Sequence, residues 1–242
     1  MKILVCISTV PDTTSKINIT ADAQHFDATG VQFIINPSDE LALSKALSFQ
    51  DIATTIDVIG VGNASIEPVL RKAMAIGAQH AIRIDAEDFD AQFVAHQVSQ
   101  VVKNENYDWI FAGRESIDYN GGIVPALLAA ELSYNYIGNC TSLTINNQEL
   151  TAERDVDGIK EKVSTTLPVV IAGQKGLVDE KDIKIPNMRG IMAARTQPIT
   201  VVTPTDNTAY AQITSYEKIP AKTGVKMFDK NDLDALIETL GI

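Results

Sequence analysis

Four short apolar runs, residues 2–8, 56–61, 81–84 and 108–112, alternate with stretches whose apolar residues recur at helical spacing. That alternation restricts the chain more than any other feature. Runs that are apolar throughout, rather than at every second position, suit strands covered on both faces, and such strands belong to parallel sheets. Parallel neighbours need crossovers, and the segments between the runs supply them as helices. These are 41–49 with Leu41, Leu43, Ala46 and Leu47 inward, 66–76 closed by Gly77, 89–103 with Phe93, Val94, Val98, Val101 and Val102 on one side, and 123–132. Asn36 or Ser38 can cap the first of them. The expected fold is α/β: a doubly wound, mostly parallel sheet with right-handed crossovers.

In such a sheet ligands lie beyond the carboxyl ends of the strands. The loops 6–12, 62–65 and 113–122 then share one rim, and residues 36–39 open a helix beside it. The block 108–131 is the most informative of these. A strand stops at Gly113, a polar loop follows, and a helix starts behind Gly121 and Gly122. The free amides of a first helical turn point at such a loop, and the helix dipole favours negative charge there, so a phosphate can be held. A plain strand-to-helix connection is the alternative, since these turns also use glycine. The loop is neither GxGxxG nor GxxxxGK[ST]. Several weak signals on one rim together favour a nucleotide-like ligand. Glu115 and Asp118 suit a phosphate neighbourhood only if they face ribose hydroxyls or cap backbone amides.

After residue 135 the texture changes. Pieces 137–145, 149–155, 160–165 and 168–172 are strand-like and separated by Asn146-Asn147 and Asp157-Gly158, both hairpin signals, so an antiparallel extension is expected. Residues 173–195 read as a long irregular loop, residues 199–216 as extended and polar, and 229–240 as an amphipathic helix with Leu233, Leu236, Ile237 and Leu240 on one stripe. The expected division is a nucleotide-binding domain over 1–200 and a C-terminal arm over 201–242.

Composition narrows the function. A formal net charge of -11 repels nucleic-acid backbones and anionic membranes. Cys6 and Cys140 stand far apart with no CxxC or Cys/His cluster, so no zinc site or disulfide framework is expected and a reducing cytoplasm fits. No run approaches a membrane span, so the chain is not expected to be an integral membrane protein. His25, His80 and His96 are scattered with no GxSxG-type nucleophile, so no catalytic residue is expected.

Further blocks carry a resemblance: KILVCISTVPD, INPSDELALSKAL, RKAMAIGA, GRESIDYNGG, the stretch from AERDVDG to VVIAG, IPNMRGIMAARTQPI, and the tail TGVKMFDKNDLDALIETLG. In this order and spacing they resemble the beta subunit of electron transfer flavoproteins, nearly end to end. The resemblance implies an adenine-nucleotide alpha-hydrolase-like fold and an electron carrier rather than an enzyme. It implies a heterodimer with an alpha subunit that mainly holds the FAD, electrons taken from acyl-CoA or other dehydrogenases, and delivery to a quinone oxidoreductase.

On the rim the resemblance implies AMP, or a second FAD in electron-bifurcating members. The matching positions are Cys6, Asn36, Pro37, Ser38, Asp39, Gly62, Gly113, Arg114, Glu115, Ser116, Ile117, Asp118, Asn120, Gly121 and Gly122. Family members commonly carry Gln-Thr-Gly or Gln-Val-Gly before the central helix, where this chain has Asn120-Gly121-Gly122 in a shorter loop. The segment after Pro168 matches the family's recognition loop, with Leu177 as the residue expected to anchor in a dehydrogenase. A stand-alone adenine-nucleotide-binding enzyme, the other reading, would need an SGGxDS-type loop, which the sequence lacks.

Overall fold

Strand β1 (Lys2–Cys6) has parallel partners on both sides, β4 (Thr55–Val61) through Ile3↔Ile56 and β6 (Trp109–Gly113) through Ile3↔Trp109. The computed structural model describes residues 1–87, 90–146, 149–205, 209–222 and 224–241. Beyond β4 lie β5 (His80–Ile84) and then β11 (Ile199–Val202). Beyond β6 lie β10 (Val169–Gly173), β7 (Asn135–Asn146), β8 (Glu149–Val156) and β9 (Ile159–Thr166). Among the described residues the sheet is parallel from β11 across to β7 and antiparallel at its last two pairings.

The two-residue period of the strands divides the core. Ile3, Val5, Trp109 and Phe111 face α1 (Pro37–Leu47), α2 (Glu67–Ile76) and α5 (Met188–Thr196), whereas Leu4 and Ile110 face α3 (Ala91–Glu105) and α4 (Val124–Leu132). Helices therefore cover both faces, the doubly wound arrangement that the apolar runs require. The chain lays down β1, β4 and β5 in one direction, and α3 then carries it back to place β6 on the other side of β1. The carboxyl ends of β1 and β6 thus flank the point where the strand order reverses, and the loops leaving them diverge.

Several expectations are corrected. Residues 168–172 do not extend the antiparallel part, because β10 inserts in parallel between β6 and β7 with all five residues buried. The hairpin of β8 and β9, turned at Asp157 and Gly158 with φ of 51° and 79°, leads the chain out and back, so that the strand following it enters the middle of the sheet. The polar stretch after 199 begins with β11, which pairs with β5. Past the first apolar run, β2 (Thr9–Pro11) pairs with β3 (Phe33–Ile35) in a two-stranded ribbon. The helix start at Phe89 and the turn residue Asn147 lie outside the described residues.

Residues 17–27 and 213–242 form a second compact unit. Ile19 bridges Phe26, the amide of Tyr216 donates to the Ala23 carbonyl, and α6 (Leu233–Leu240) is capped by Asp232, which accepts from the Ala235 amide. Leu233, Ile237 and Leu240 of α6 are exposed.

Candidate functional site

Helix α1 begins between the carboxyl ends of β1 and β6. Pro37 takes its first position, where no amide is needed. Asn36 is the N-cap residue, but its side chain does not cap the helix. Its Nδ2 donates to the Glu115 carbonyl at 2.9 Å and its Oδ1 accepts from the Ile117 amide at 3.2 Å, which ties the loop after β6 to the start of α1.

Asp39, three residues further, points inward and is buried. One carboxylate oxygen accepts from the Ser8 amide and the other from the Gly113 amide, each at 2.7 Å. A single side chain therefore joins the ends of both strands at the switch point. Burial pushes its pKa up to about 6 from 3.8, and the amides of Ser8 and Gly113 pull the other way. Half-buried Cys6, at the end of β1, is pushed up to about 12 by burial and by the Asp39 charge, which keeps it a thiol. Gly113 is glycine because α1 comes so close: a Cβ there would stand 2.5 Å from Asp39 Oδ1 and 2.6 Å from Ser38 Cβ.

The loop leaves β6 with the Arg114 amide bonded to the Gly173 carbonyl at 2.7 Å, continuing the β6–β10 register. The Arg114 guanidinium is exposed, 3.3 Å from Gln174 Oε1 and 3.8 Å from Glu115. Ser116 accepts from the Asn120 amide through its carbonyl at 2.9 Å, and Asp118 accepts from the Tyr119 amide at 2.9 Å. Asp118 thus caps backbone, one of the two tolerable roles expected for a carboxylate here. Asn120 and Gly122 are left-handed at φ of 49° and 61°, and a Cβ on Gly121 would meet nothing within 4 Å. Behind them Ile123 stands at the N-cap of α4 and has no side-chain acceptor to cap the first turn.

Cys6, Asn36, Pro37, Ser38, Asp39 and the loop from Gly113 through Gly122 accordingly share one rim. Gly62 stands further along it at the end of β4, where φ is 154° and a Cβ would meet Ile66 at 2.8 Å. The residues fit a nucleotide on two grounds. The amides at the start of α4 are uncapped beside the open Gly121, and Thr9 Oγ1, just past the end of β1, is a buried polar atom with no partner. Ser8 and Thr9 lie in the loop 6–12 that the sequence puts on this rim, without being singled out there, and Ile123 was missed.

Leu177 is the exception. It is 4% exposed, sits in the core on the α1 face and packs against Gly173, so it is no surface anchor.

Residues 25–207 match the family described as electron transfer flavoprotein domain. The chain is 35% identical to electron transfer flavoprotein subunit beta of Bacillus subtilis (strain 168) over 204 residues, covering 82% of this chain and 77% of that protein. It is 30% identical to the same subunit of Syntrophomonas wolfei over 239 residues, covering 97% and 93%. The chain belongs to the electron transfer flavoprotein beta-subunit family. The human electron transfer flavoprotein subunit beta is 26% identical over 253 residues, covering 100% of this chain and 98% of the human one. For this beta-subunit family member, no helix among the described residues is long and apolar enough to cross a membrane.

Proposed function

We propose that this chain is the beta subunit of a cytoplasmic heterodimeric electron transfer flavoprotein that carries AMP on its rim. It would brace an FAD held mainly by an alpha subunit, take electrons from acyl-CoA or other dehydrogenases, and pass them to a quinone oxidoreductase. The bound flavin supplies the redox chemistry. The observation that carries the nucleotide reading is the uncapped start of α4 beside the open Gly121. Asp39 already occupies the Ser8 and Gly113 amides with negative charge, so a phosphate would be held at the start of α4, near Arg114. A second reading, an FAD on the rim of an electron-bifurcating protein, is favoured by the opening VPDTT, which resembles that branch.

Co-purification with the alpha subunit followed by nucleotide extraction tests both readings. One FAD and one AMP per heterodimer is expected, whereas two FAD would assign the bifurcating class. A rim that yields no adenine nucleotide would overturn the proposal. The exposed stripe Leu233, Ile237 and Leu240 supports docking of the arm on the alpha subunit. A chain lacking residues 229–242 should then co-purify poorly, and an undiminished yield would remove the arm from that interface.

For partner recognition we move the anchor from Leu177 to Ile185. Ile185 is 77% exposed and Met188 74% exposed, and residues 183–197 carry Lys184, Arg189 and Arg195 with no carboxylate in a chain of net charge -11. Such a surface suits an apolar pocket bordered by acidic groups. Ile185→Ala should raise the KM for the dehydrogenase by about thirtyfold with flavin content intact, the size of a buried hot-spot truncation of about 2 kcal/mol. Leu177→Ala should instead lower the unfolding temperature and leave KM alone. Steady-state kinetics and thermal unfolding of the two variants distinguish the assignments.

A further inference from the structure

The exposed span that carries Ile185 and Met188 is held at both ends by side chains from neighbouring helices. At its front, the Lys184 amide donates to Ser44 Oγ at 3.0 Å, and Ser44 is buried on α1. At its back, Arg71 of α2 places Nη1 2.6 Å from the Ala194 carbonyl, 3.0 Å from that of Gln197 and 3.4 Å from that of Arg195. The Ala194 and Arg195 carbonyls are ones that the last turn of α5 leaves without intrahelical partners, Gln197 is the residue just past that turn, and a guanidinium there also meets the negative end of the helix dipole. Between the two ends, Asn187 Oδ1 accepts from the Gly190 amide at 2.8 Å and fixes the first turn of α5. Gly190 lets the α5 backbone close on the Ala75 carbonyl of α2.

We propose that Ser44 and Arg71 are positioning residues that hold Ile185 and Met188 in a docking-ready conformation for the dehydrogenase that donates electrons to this subunit. An apolar side chain on a free loop loses its freedom when it docks, whereas one on a span pinned front and back has lost that freedom on folding. Neither residue touches the partner. The proposal rests on the reading of this span as the docking surface, and its test separates the two.

Heterodimers carrying Ser44→Ala, Arg71→Met or Ile185→Ala are compared in flavin reduction by the acyl-CoA dehydrogenase of the same organism, driven by a saturated acyl-CoA. Flavin content, direct reduction by dithionite and amide exchange over residues 184–197 are measured alongside. Ser44→Ala is expected to raise KM by about five- to tenfold, the effect of one lost hydrogen bond, and Arg71→Met, which loses three contacts, by at least as much. In both, kcat, flavin content and dithionite reduction should be unchanged, and the amides of 184–197 should exchange about tenfold faster. Ile185→Ala should raise KM with exchange unaltered.

If Ile185→Ala raises KM while Ser44→Ala and Arg71→Met change neither KM nor exchange, the positioning role is overturned and the docking surface stands. If Ile185→Ala leaves KM unchanged, the docking surface itself is wrong, and the proposal falls with it. Loss of flavin or of dithionite reduction in Arg71→Met would make Arg71 a structural brace. Ser44→Ala, which removes one hydroxyl, then decides the matter by the same KM and exchange measurements.

Discussion

Gly113→Ala should lower stability by about 2–4 kcal/mol and, on the proposed nucleotide reading, weaken AMP binding at the rim. The methyl would stand 2.8 Å from the Ser38 carbonyl carbon as well as 2.5 Å from Asp39 Oδ1. Neither neighbour is the free end of a flexible chain. Ser38 is backbone in the first turn of α1, and Asp39 is held by two amides. The start of α1 therefore has to move away from β6, and the Asp39 bonds to Ser8 and Gly113 go with it, as does the Asn36 clasp on the 115–117 backbone. For a chain of this length the loss corresponds to about 5–15 °C in unfolding temperature. Gly121→Ala is the control, because a Cβ there meets nothing within 4 Å. It should unfold at the wild-type temperature. If both variants melt together with the wild type, α1 and β6 are not in the close contact on which the rim depends.

What could be read from sequence follows from how local each cause is. Runs such as Ile3 to Val5 and Trp109 to Phe111 are apolar throughout because helices cover both faces of the sheet, and that pattern is visible without coordinates. The place of β10 was not visible. A hairpin signal says that two strands are neighbours and nothing about where the next strand enters. Helix α5 was hidden because Gly190 reads as a breaker, yet it is glycine for the approach to Ala75 across the sequence.

The rim was legible as a position and not as a mechanism. Asn36 reads as a helix cap by pattern, and the resemblance puts both Asn36 and Asp39 at the nucleotide, whereas their side chains are spent on β1, β6 and the loop after β6. Leu177 and Ile185 lie in one aperiodic segment where nothing in sequence tells inward from outward. The space beside Gly173 takes in Leu177 and leaves Ile185 outside.

Asp39 should also give the chain a measurable pH dependence. Its folded pKa of about 6 lies above its ordinary 3.8, so the folded state binds this proton more tightly than the unfolded state does. The resulting stabilisation is complete below 3.8 and is lost as pH rises through 6. Against Asp39→Asn, which has the same shape and does not titrate, the wild type should gain about 2 kcal/mol between pH 7.5 and pH 4.5. Urea unfolding of both proteins at the two pH values measures the gain, and the carboxylates they have in common cancel. A gap that does not change with pH would mean that the Asp39 carboxyl is not buried between β1 and β6.

On the proposed nucleotide reading, the same proton would be linked to the ligand. A phosphate at the start of α4 would add negative charge to the rim, raise the Asp39 pKa further and draw a proton onto it, and by reciprocity protonated Asp39 should favour the nucleotide. Affinity of the heterodimer for AMP should therefore be higher at pH 5.5 than at pH 7.5, and the difference should vanish in Asp39→Asn. A preference that survives in the variant would place the titrating group elsewhere, on the nucleotide phosphate itself, and would free Asp39 from any part in ligand binding.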